Sequence, residues 1–181
     1  LDKPNFNWIK NVGNFLLNRV ELYMNDLLID RHYIEWVNIC YEINNTYDKK
    51  DLRERMIGST YDLFTTKSDI KKGKNLIIPM YFWFNRYSGL NLPVIAMSNV
   101  NIYLKLYIED LDNLVIKDDN TTIIMDDNFD IKLNIGYIYL DDDERNNFAK
   151  GRHEYLIEHT QFNEYSINAV SYTHLRAHET R

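Results

Sequence analysis

Residues 76–108 read LIIPMYFWFNRYSGLNLPVIAMSNVNIYLKLYI and narrow the choice of fold more than any other stretch. An apolar and aromatic run, 76–84 with Pro79 inside it, breaks at the polar turn 85–89 and resumes through 90–97. A membrane-spanning helix needs about 20 consecutive apolar residues, and an internal proline interrupts a helix. The run is therefore predicted to pack against other parts of a protein core.

Residues 101–109 alternate between two kinds of side chain. One face is aliphatic and the other carries tyrosines and charges: Ile102, Leu104, Leu106 and Ile108 against Tyr103, Lys105, Tyr107 and Glu109. A period of two predicts a strand that buries one face. Apolar runs predict further strands at 15–24, 27–29, 114–117, 121–125 and 131–140. Short strands separated by Asp- and Asn-rich turns favour an all-β antiparallel sandwich.

One stretch has the periodicity of a helix instead. In residues 32–43 a single apolar stripe comprises Tyr33, Trp36, Val37, Cys40 and Tyr41. That spacing predicts a short amphipathic helix. Cys40, the single cysteine, is predicted to be a small buried apolar residue and not a nucleophile, and it has no partner for an internal disulfide.

Two further helices have recognisable ends. Asp48 is a suitable N-cap for a helix over residues 49–57, and Gly58 is a suitable stop. Asp141 or Asp142 would cap another short helix, because acidic side chains in a first turn are favoured by the helix dipole. These helices are predicted as insertions between strands.

The charge of the chain limits its partners. It has 181 residues, with 21 Lys and Arg against 27 Asp and Glu, for a net charge of −6. An acidic chain does not hold nucleic-acid phosphates through its overall charge, so direct nucleic-acid binding is not expected. No apolar run reaches the length of a transmembrane segment.

Chemistry-bearing motifs are few, and no catalytic, cofactor or metal site is predicted. His153 and His159 are six positions apart in HEYLIEH, which is not the spacing of zinc proteases, although on a strand they would share a face. His32 with Glu35 could form a base and its orienting partner, but no serine or cysteine motif accompanies them. The chain is therefore not expected to be an enzyme.

Three blocks resemble one protein family. They are VELYMNDLLIDRHYIEWVNICYEI (20–43), PMYFWFNRYSGLNLPVIAM (79–97) and YIYLDDDERNNFAKGRHEYLIEHTQ (137–161). In the same order they are similar to "IGG…ID…W", "PLPFWF…GLALPLIAL" and "YVYLDTDERRRFA…HEYLIEQLQ" of the major capsid proteins of nucleocytoplasmic large DNA viruses. Asn25 and Asp26 stand where the family has a glycine pair, and both tolerate the positive φ of a hairpin turn.

The resemblance implies an antiparallel jelly-roll β-sandwich with short helical insertions, the first roll of a double jelly roll. Residues 1–150 are expected to form this amino-terminal roll without its start, and 151–169 a truncated connection toward a second roll. Residues 170–181 look like a translated sequencing adapter and are not expected to contribute to the fold. The metal-like spacing of His174 and His178 falls in that tail.

The resemblance also implies a function. The chain would be a structural protein of an icosahedral capsid, forming pseudo-hexagonal trimeric capsomers in the virion after assembly in the host cytoplasm. Its expected partners are further copies in a homotrimer, neighbouring capsomers and minor capsid proteins. Residues predicted to have an assembly or structural role are Trp36, Trp83, Phe84, Arg86, Gly89, Pro93, Arg145 and Glu154.

Two other functions stay open for this architecture. One is a jelly-roll scaffold protein that shapes the virion during assembly, and the other is a sugar-binding jelly-roll module. A cupin-type metalloenzyme would need converging histidines, and few are available outside the tail. The sequons at Asn44 and Asn120 are possible N-glycosylation sites.

Overall fold

The computed structural model describes residues 6–44, 46–60, 75–117 and 130–164. Its helices and strands are β1 (Phe6–Trp8), α1 (Val12–Leu16), β2 (Leu17–Met24), β3 (Leu27–Tyr33), α2 (Ile34–Asn44), α3 (Lys50–Ile57), β4 (Ile102–Ile108), α4 (Leu111–Leu114), β5 (Val115–Lys117) and α5 (Asp142–Lys150). Short 3-10 turns lie at Tyr47–Lys49, Trp83–Asn85, Ser88–Leu90 and Val94–Met97. The predicted strand at 121–125, the sequon at Asn120 and the tail at 170–181 fall outside the described residues.

The described strands form two antiparallel sheets, one in the order β3-β2-β4 and one of β1 with β5. In the larger sheet Leu22 lies opposite Asp30 on one side and Leu104 on the other. A β-bulge follows Leu22 in the pairing with β3. Antiparallel pairing confirms this coarse part of the predicted fold class.

The hairpin between β2 and β3 turns where the sequence predicted. Asn25 and Asp26 have φ of 48° and 63°, the left-handed conformation that two-residue hairpin loops require. The strand boundaries differ from the prediction. β2 begins at Leu17, because the preceding residues form α1, and β3 continues to Tyr33, because its pairing with β2 extends that far.

The core lies on one face of the larger sheet. Its buried cluster comprises Leu17, Val20, Leu22, Phe82 and Trp83. Aliphatic residues of β4 and of the 76–97 run pack against it, including Ile78, Met80, Leu90, Leu92, Leu104 and Leu106. Full burial of one large apolar side chain contributes roughly 1.5–3 kcal/mol. The prediction that this run packs into a core is confirmed for most of the apolar residues at 78–92. It is wrong for Val94 and Ile95, which are exposed.

Two helix ends match the sequence and one does not. Gly58 ends α3 with φ of 75°, and Asp141 caps α5 by accepting a hydrogen bond of 2.8 Å from the Glu144 backbone N–H. Asp48 does not cap α3, because a 3-10 turn occupies its position and Lys49 directly precedes the helix. α2 begins at Ile34 and not at residue 32, but it buries Val37, Cys40 and Tyr41 as its stripe predicted.

The predicted strand at 131–140 is wrong for the described structure. No described strand pairs with this segment, and all its residues except Leu140 are exposed. A strand exists only where a neighbour takes up its backbone hydrogen bonds. The predicted strand at 114–117 is one residue shorter, because Leu114 ends α4.

None of the helices in the described part of the chain combines the length and apolar character that crossing a bilayer requires.

Candidate assembly surface

Trp83 and Phe84 belong to an aromatic cluster on the core face of the sheet. The Trp83 ring meets Phe84 edge-on at 5.1 Å, and Phe82 stacks on Phe84 at 5.5 Å. Trp83 is buried and Phe84 is half-buried. A buried ring contacts its own chain and not a partner, so the part that Trp83 can play is to support the residues around it.

A carboxylate and a histidine are buried beside this cluster. The side chains of Asp30 and His32 are 3% and 5% exposed, and His32 Nε2 lies 3.2 Å from Asp30 Oδ2. The His32 ring also stacks on Phe82 at 4.6 Å. His32 pairs with Asp30 and not with Glu35, because His32 lies in β3, where residues two apart share a face, while Glu35 is exposed on α2. Alternation along the strand is the sequence signal that could have identified Asp30 as the neighbour of His32.

The segment 151–164 runs along this part of the molecule without helix or sheet pairing. His153 Nε2 lies 2.7 Å from the carbonyl oxygen of Phe148, and His159 Nδ1 lies 3.6 Å from Asp30 Oδ1. Phe162 stacks on Tyr33 at 4.3 Å. The two histidines therefore contact different parts of the molecule, His153 the end of α5 and His159 the strand β3.

An apolar cavity of about 340 Å³ lies between this segment and the sheet. Its walls include Met24 and Ile29 from the β2–β3 hairpin, Trp83, Pro93 and Tyr155. Ligand sites combine apolar walls with several convergent polar groups. Since most side chains that line this cavity are apolar, it suits an apolar side chain better than a polar cofactor.

The other predicted assembly residues are dispersed over the surface. Arg86 forms an ion pair with Glu158 and thereby connects the turn after Trp83 with segment 151–164. Gly89 lies in an exposed 3-10 turn, and Pro93 directly precedes another. The remaining three are the exposed Arg145 on α5, the exposed Glu154, paired with Arg152 at 3.0 Å, and the half-buried Trp36 on α2.

The outer face of the larger sheet holds a buried carboxylate that sequence reasoning missed. The Glu21 side chain is 2% exposed, and its Oε1 lies 3.1 Å from Arg19 Nε and 2.7 Å from Arg31 Nε. The hydroxyls of Tyr23 and Tyr107 donate to its Oε2 at 2.9 and 3.3 Å. The alternation of β4 had predicted a polar face, but nothing in the sequence marked Glu21 as its centre.

The neighbours of Glu21 decide its ionisation. Burial raises the pKa of the Glu21 carboxyl, but the hydrogen bond from Tyr23 and the charges of Arg31 and Arg19 outweigh burial and hold the pKa below its ordinary value. At the hairpin end of the same face, the Tyr103 hydroxyl donates to Asp26 at 2.7 Å, which raises the pKa of Tyr103 to about 12. Glu21 therefore stays ionised near neutral pH, as the anchor of a network of cations and tyrosines.

This arrangement of one carboxylate, two arginines and two tyrosines can hold the outer surface of the sheet together. Within residues 6–44, 46–60, 75–117 and 130–164, no three or more of His, Cys, Asp and Glu are grouped to hold a metal ion. Burial raises the pKa of the Cys40 thiol, which disfavours the nucleophilic thiolate.

Comparisons with known proteins agree on one family. The family model described as "Major capsid protein N-terminus" matches residues 2–141. Capsid protein 1 of Acanthamoeba polyphaga mimivirus is 31% identical over 168 residues, which are 87% of this chain and 28% of the relative. The major capsid protein of Pyramimonas orientalis virus is 34% identical over 154 residues, 84% of this chain and 37% of the relative. The chain thus spans about a third of the length of these relatives.

A solved structure shares the fold. The structure of PBCV-1 VP54, fitted into a cryo-EM reconstruction of the virophage Sputnik, matches with a TM-score of 0.55 at 23% identity, over 87% of this chain and 37% of VP54. At this identity the likeness concerns the fold alone. Taken with the family match over residues 2–141, it leads to one conclusion: the chain belongs to the family of major capsid proteins of nucleocytoplasmic large DNA viruses.

Proposed function

We propose that the chain is part of a structural subunit of an icosahedral viral capsid, in which it forms the first roll of a double jelly roll. The observation that carries the proposal is the capsid family match over residues 2–141, which includes the larger sheet and the apolar run packed on it. In this proposal residues 1–150 are the amino-terminal roll, and 151–169 connect it to a second roll.

The proposed assembly is a pseudo-hexagonal homotrimer that contacts neighbouring capsomers and minor capsid proteins in the virion, after assembly in the host cytoplasm. Exposed apolar side chains support such a role, because large exposed apolar surface marks sites that another protein surface covers. They include Leu133, Ile135 and Tyr139 before α5 and Leu156 after it. Modest contacts of this kind sum over the many copies of a shell.

The proposed assembly residues fall into two groups by burial. Trp83 and Phe84 would act from within, because they hold the turns that follow them against the sheet. The residues that could contact another subunit directly are the exposed Arg86, Gly89, Arg145 and Glu154 and the half-buried Pro93 and Trp36. A structural role of this kind needs no cofactor and no catalysis.

Glycosylation stays a minor part of the proposal. Asn44 is exposed at the end of α2, and its side-chain amide donates to the carbonyl oxygen of Cys40 at 2.8 Å. A glycan on that nitrogen would have to replace this hydrogen bond. Intact-mass measurement of protein from infected cells would detect a glycan at Asn44 or Asn120.

The test is the assembly state of the full-length protein. The gene should be read through residue 169 without the tail at 170–181 and its whole product expressed. Mass photometry is expected to find a trimer, and electron microscopy at higher concentration is expected to find hexagonally packed arrays. A product that stays monomeric up to the concentrations used for microscopy would contradict the proposal.

One further measurement separates a capsid protein from a scaffold protein of the same fold. Mass spectrometry of purified mature virions is expected to detect the protein in many copies. Its presence in immature particles together with its absence from mature ones would favour the scaffold role.

A further inference from the structure

Segment 151–164 lies against the body of the molecule through a few specific contacts. Glu158 pairs with Arg86, Phe162 stacks on Tyr33, and His159 approaches Asp30. The backbone of the segment belongs to no helix and no sheet, so side-chain contacts carry much of its attachment. A change in one such contact therefore changes how firmly the segment is held.

The contact between His159 and Asp30 joins an exposed group to a buried one. The His159 side chain is 46% exposed, whereas that of Asp30 is 3% exposed. Asp30 Oδ1 also accepts a hydrogen bond from the Arg31 backbone N–H at 2.9 Å. Asp30 is thus held in place by β3 itself, and His159 reaches it from solvent, where protons exchange freely.

The charged and titratable groups recorded around this contact come from three elements. β3 contributes Asp30 and His32, which lies on the other carboxylate oxygen. The turn after Trp83 contributes Arg86, which is paired with Glu158 of the segment itself. The Trp83 ring lies 6.0 Å from the His159 ring and carries no charge. Asp30 is therefore the carboxylate that the structure pairs with His159.

We infer that His159 and Asp30 form a pH-responsive latch that holds segment 151–164 more firmly at mildly acidic pH than at neutral pH. Histidine is the side chain whose charge ordinarily changes between pH 5 and 8. A protonated imidazole at ion-pair distance from a carboxylate is attracted to it, and a neutral imidazole loses that attraction. The latch therefore tightens as protons bind.

The same segment offers its own matched control. His153 contacts the end of α5, where its neighbour is the carbonyl oxygen of Phe148, which has no charge that changes with pH. His159→Gln keeps a polar side chain of similar length, and Gln stands at this position in the family pattern "HEYLIEQLQ". His153→Gln removes a histidine from the same segment without removing a carboxylate pair. Asp30→Asn removes the charge from the other side of the latch.

The test is the rate at which proteinase K cleaves residues 151–164 in the full-length protein at pH 5.5 and pH 7.5. At each pH this rate is divided by that of a free peptide of the same sequence, so the pH dependence of the protease cancels. Unaltered protein is expected to protect the segment roughly threefold more at the lower pH, in the range of a partly exposed ion pair. His159→Gln and Asp30→Asn are each expected to abolish this gain, and His153→Gln to keep it.

Two results would overturn the latch: a pH response that survives in His159→Gln, or one that is lost equally in His153→Gln. Neither depends on trimer formation, so the latch and the proposed function can fail separately. Only the consequence of the latch rests on the proposed function. If 151–169 connect two rolls, acidification would stiffen their connection.

Discussion

The two faces of the larger sheet each bury a carboxylate, and they neutralise it in different ways. On the outer face Glu21 is held by Arg19 and Arg31, which stay charged at every physiological pH. On the inner face Asp30 is flanked by His32 and His159, whose charge can change. The position of a buried carboxylate in the sheet therefore does not decide whether its partner carries a permanent charge or one that depends on protonation. The type of the neighbouring cation decides it.

The two faces also differ in what covers the carboxylate. Glu21 is covered by long arginine and tyrosine side chains of its own sheet, beside exposed residues such as Lys105. Asp30 lies beside the apolar cluster with Phe82 and Trp83. Both carboxylates are buried, but the Arg19 and Arg31 side chains are 29% and 38% exposed, whereas His32 is 5% exposed, so water screens the ion pairs of Glu21 more strongly than the pair of Asp30 with His32. The three predictions that follow test this contrast, from the largest expected effect to the smallest.

The largest loss of stability is expected from removing the Phe82 ring, which stacks on His32 at the inner face of the sheet. Phe82 is 1% exposed, so Phe82→Ala leaves a cavity in the core and is expected to lower the free energy of unfolding by about 3–5 kcal/mol. Urea denaturation followed by circular dichroism measures this. Tyr87→Ala, at a ring 64% exposed, is the control and should change it by less than about 0.5 kcal/mol. Equal effects of the two variants would contradict the assignment of the core.

Neutralising each carboxylate compares the two faces directly. Asp30→Asn weakens contacts that water cannot replace and is expected to lower the free energy of unfolding by about 2 kcal/mol. Glu21→Gln is expected to lower it by about 1 kcal/mol, because solvent screens the outer network. Both are measured by urea denaturation at pH 7, with Glu154→Gln, at an exposed ion pair, as the control. A larger loss for Glu21→Gln would reverse the comparison.

The pH dependence of the outer network is the smallest effect. Since the folded-state pKa of Glu21 lies below the ordinary value of 4.5, its ionised form stabilises the folded chain above that pH. The contribution is lost as the pH falls through the folded-state pKa. The difference in unfolding free energy between unaltered protein and Glu21→Gln should therefore be constant near neutral pH and shrink below about pH 4.5.

That difference is measured by urea denaturation at a series of pH values between neutral and about pH 3. The control is Glu154→Gln, whose carboxylate lies at the surface. Other carboxylates, such as Glu109, are present in both members of each pair and cancel. A difference for Glu21→Gln that stays constant to the lowest pH, or that grows, would contradict the direction of the Glu21 pKa shift.

Local sequence signals explain which parts of the fold could be predicted. The hairpin at Asn25 and Asp26 and the helix stop at Gly58 depend on backbone conformations that few residues tolerate, so the residue type reveals the position. The alternation of β4 likewise reports which side chains face the core. The segment 131–140 alternates in a similar way, yet a strand needs a neighbour, and residue type does not say whether one is present.

The candidate assembly surface was harder to predict from the sequence, because its contacts join distant parts of the chain. Arg86 and Glu158 are 72 positions apart, and Tyr107 reaches Glu21 across 86 positions. Each of these side chains is unremarkable in its local context. Family resemblance drew attention to Arg86 and the aromatic run. The sequence analysis named His32 and His159, but it did not name Glu21 or Asp30, the two carboxylates at the centres of the networks.

The sequence by itself determined the hairpin, the core-facing run at 76–92 and the alternation of β4, because each depends on residue type and spacing along a short stretch. The resemblance to the capsid family came from three ordered blocks spread over residues 20–161. Only the tertiary structure decided that Glu21 meets two arginines and that Asp30 meets two histidines. Those pairings depend on the register between strands and on the path of segment 151–164. Register and path follow from the packing of the whole molecule, and no short stretch of sequence contains them.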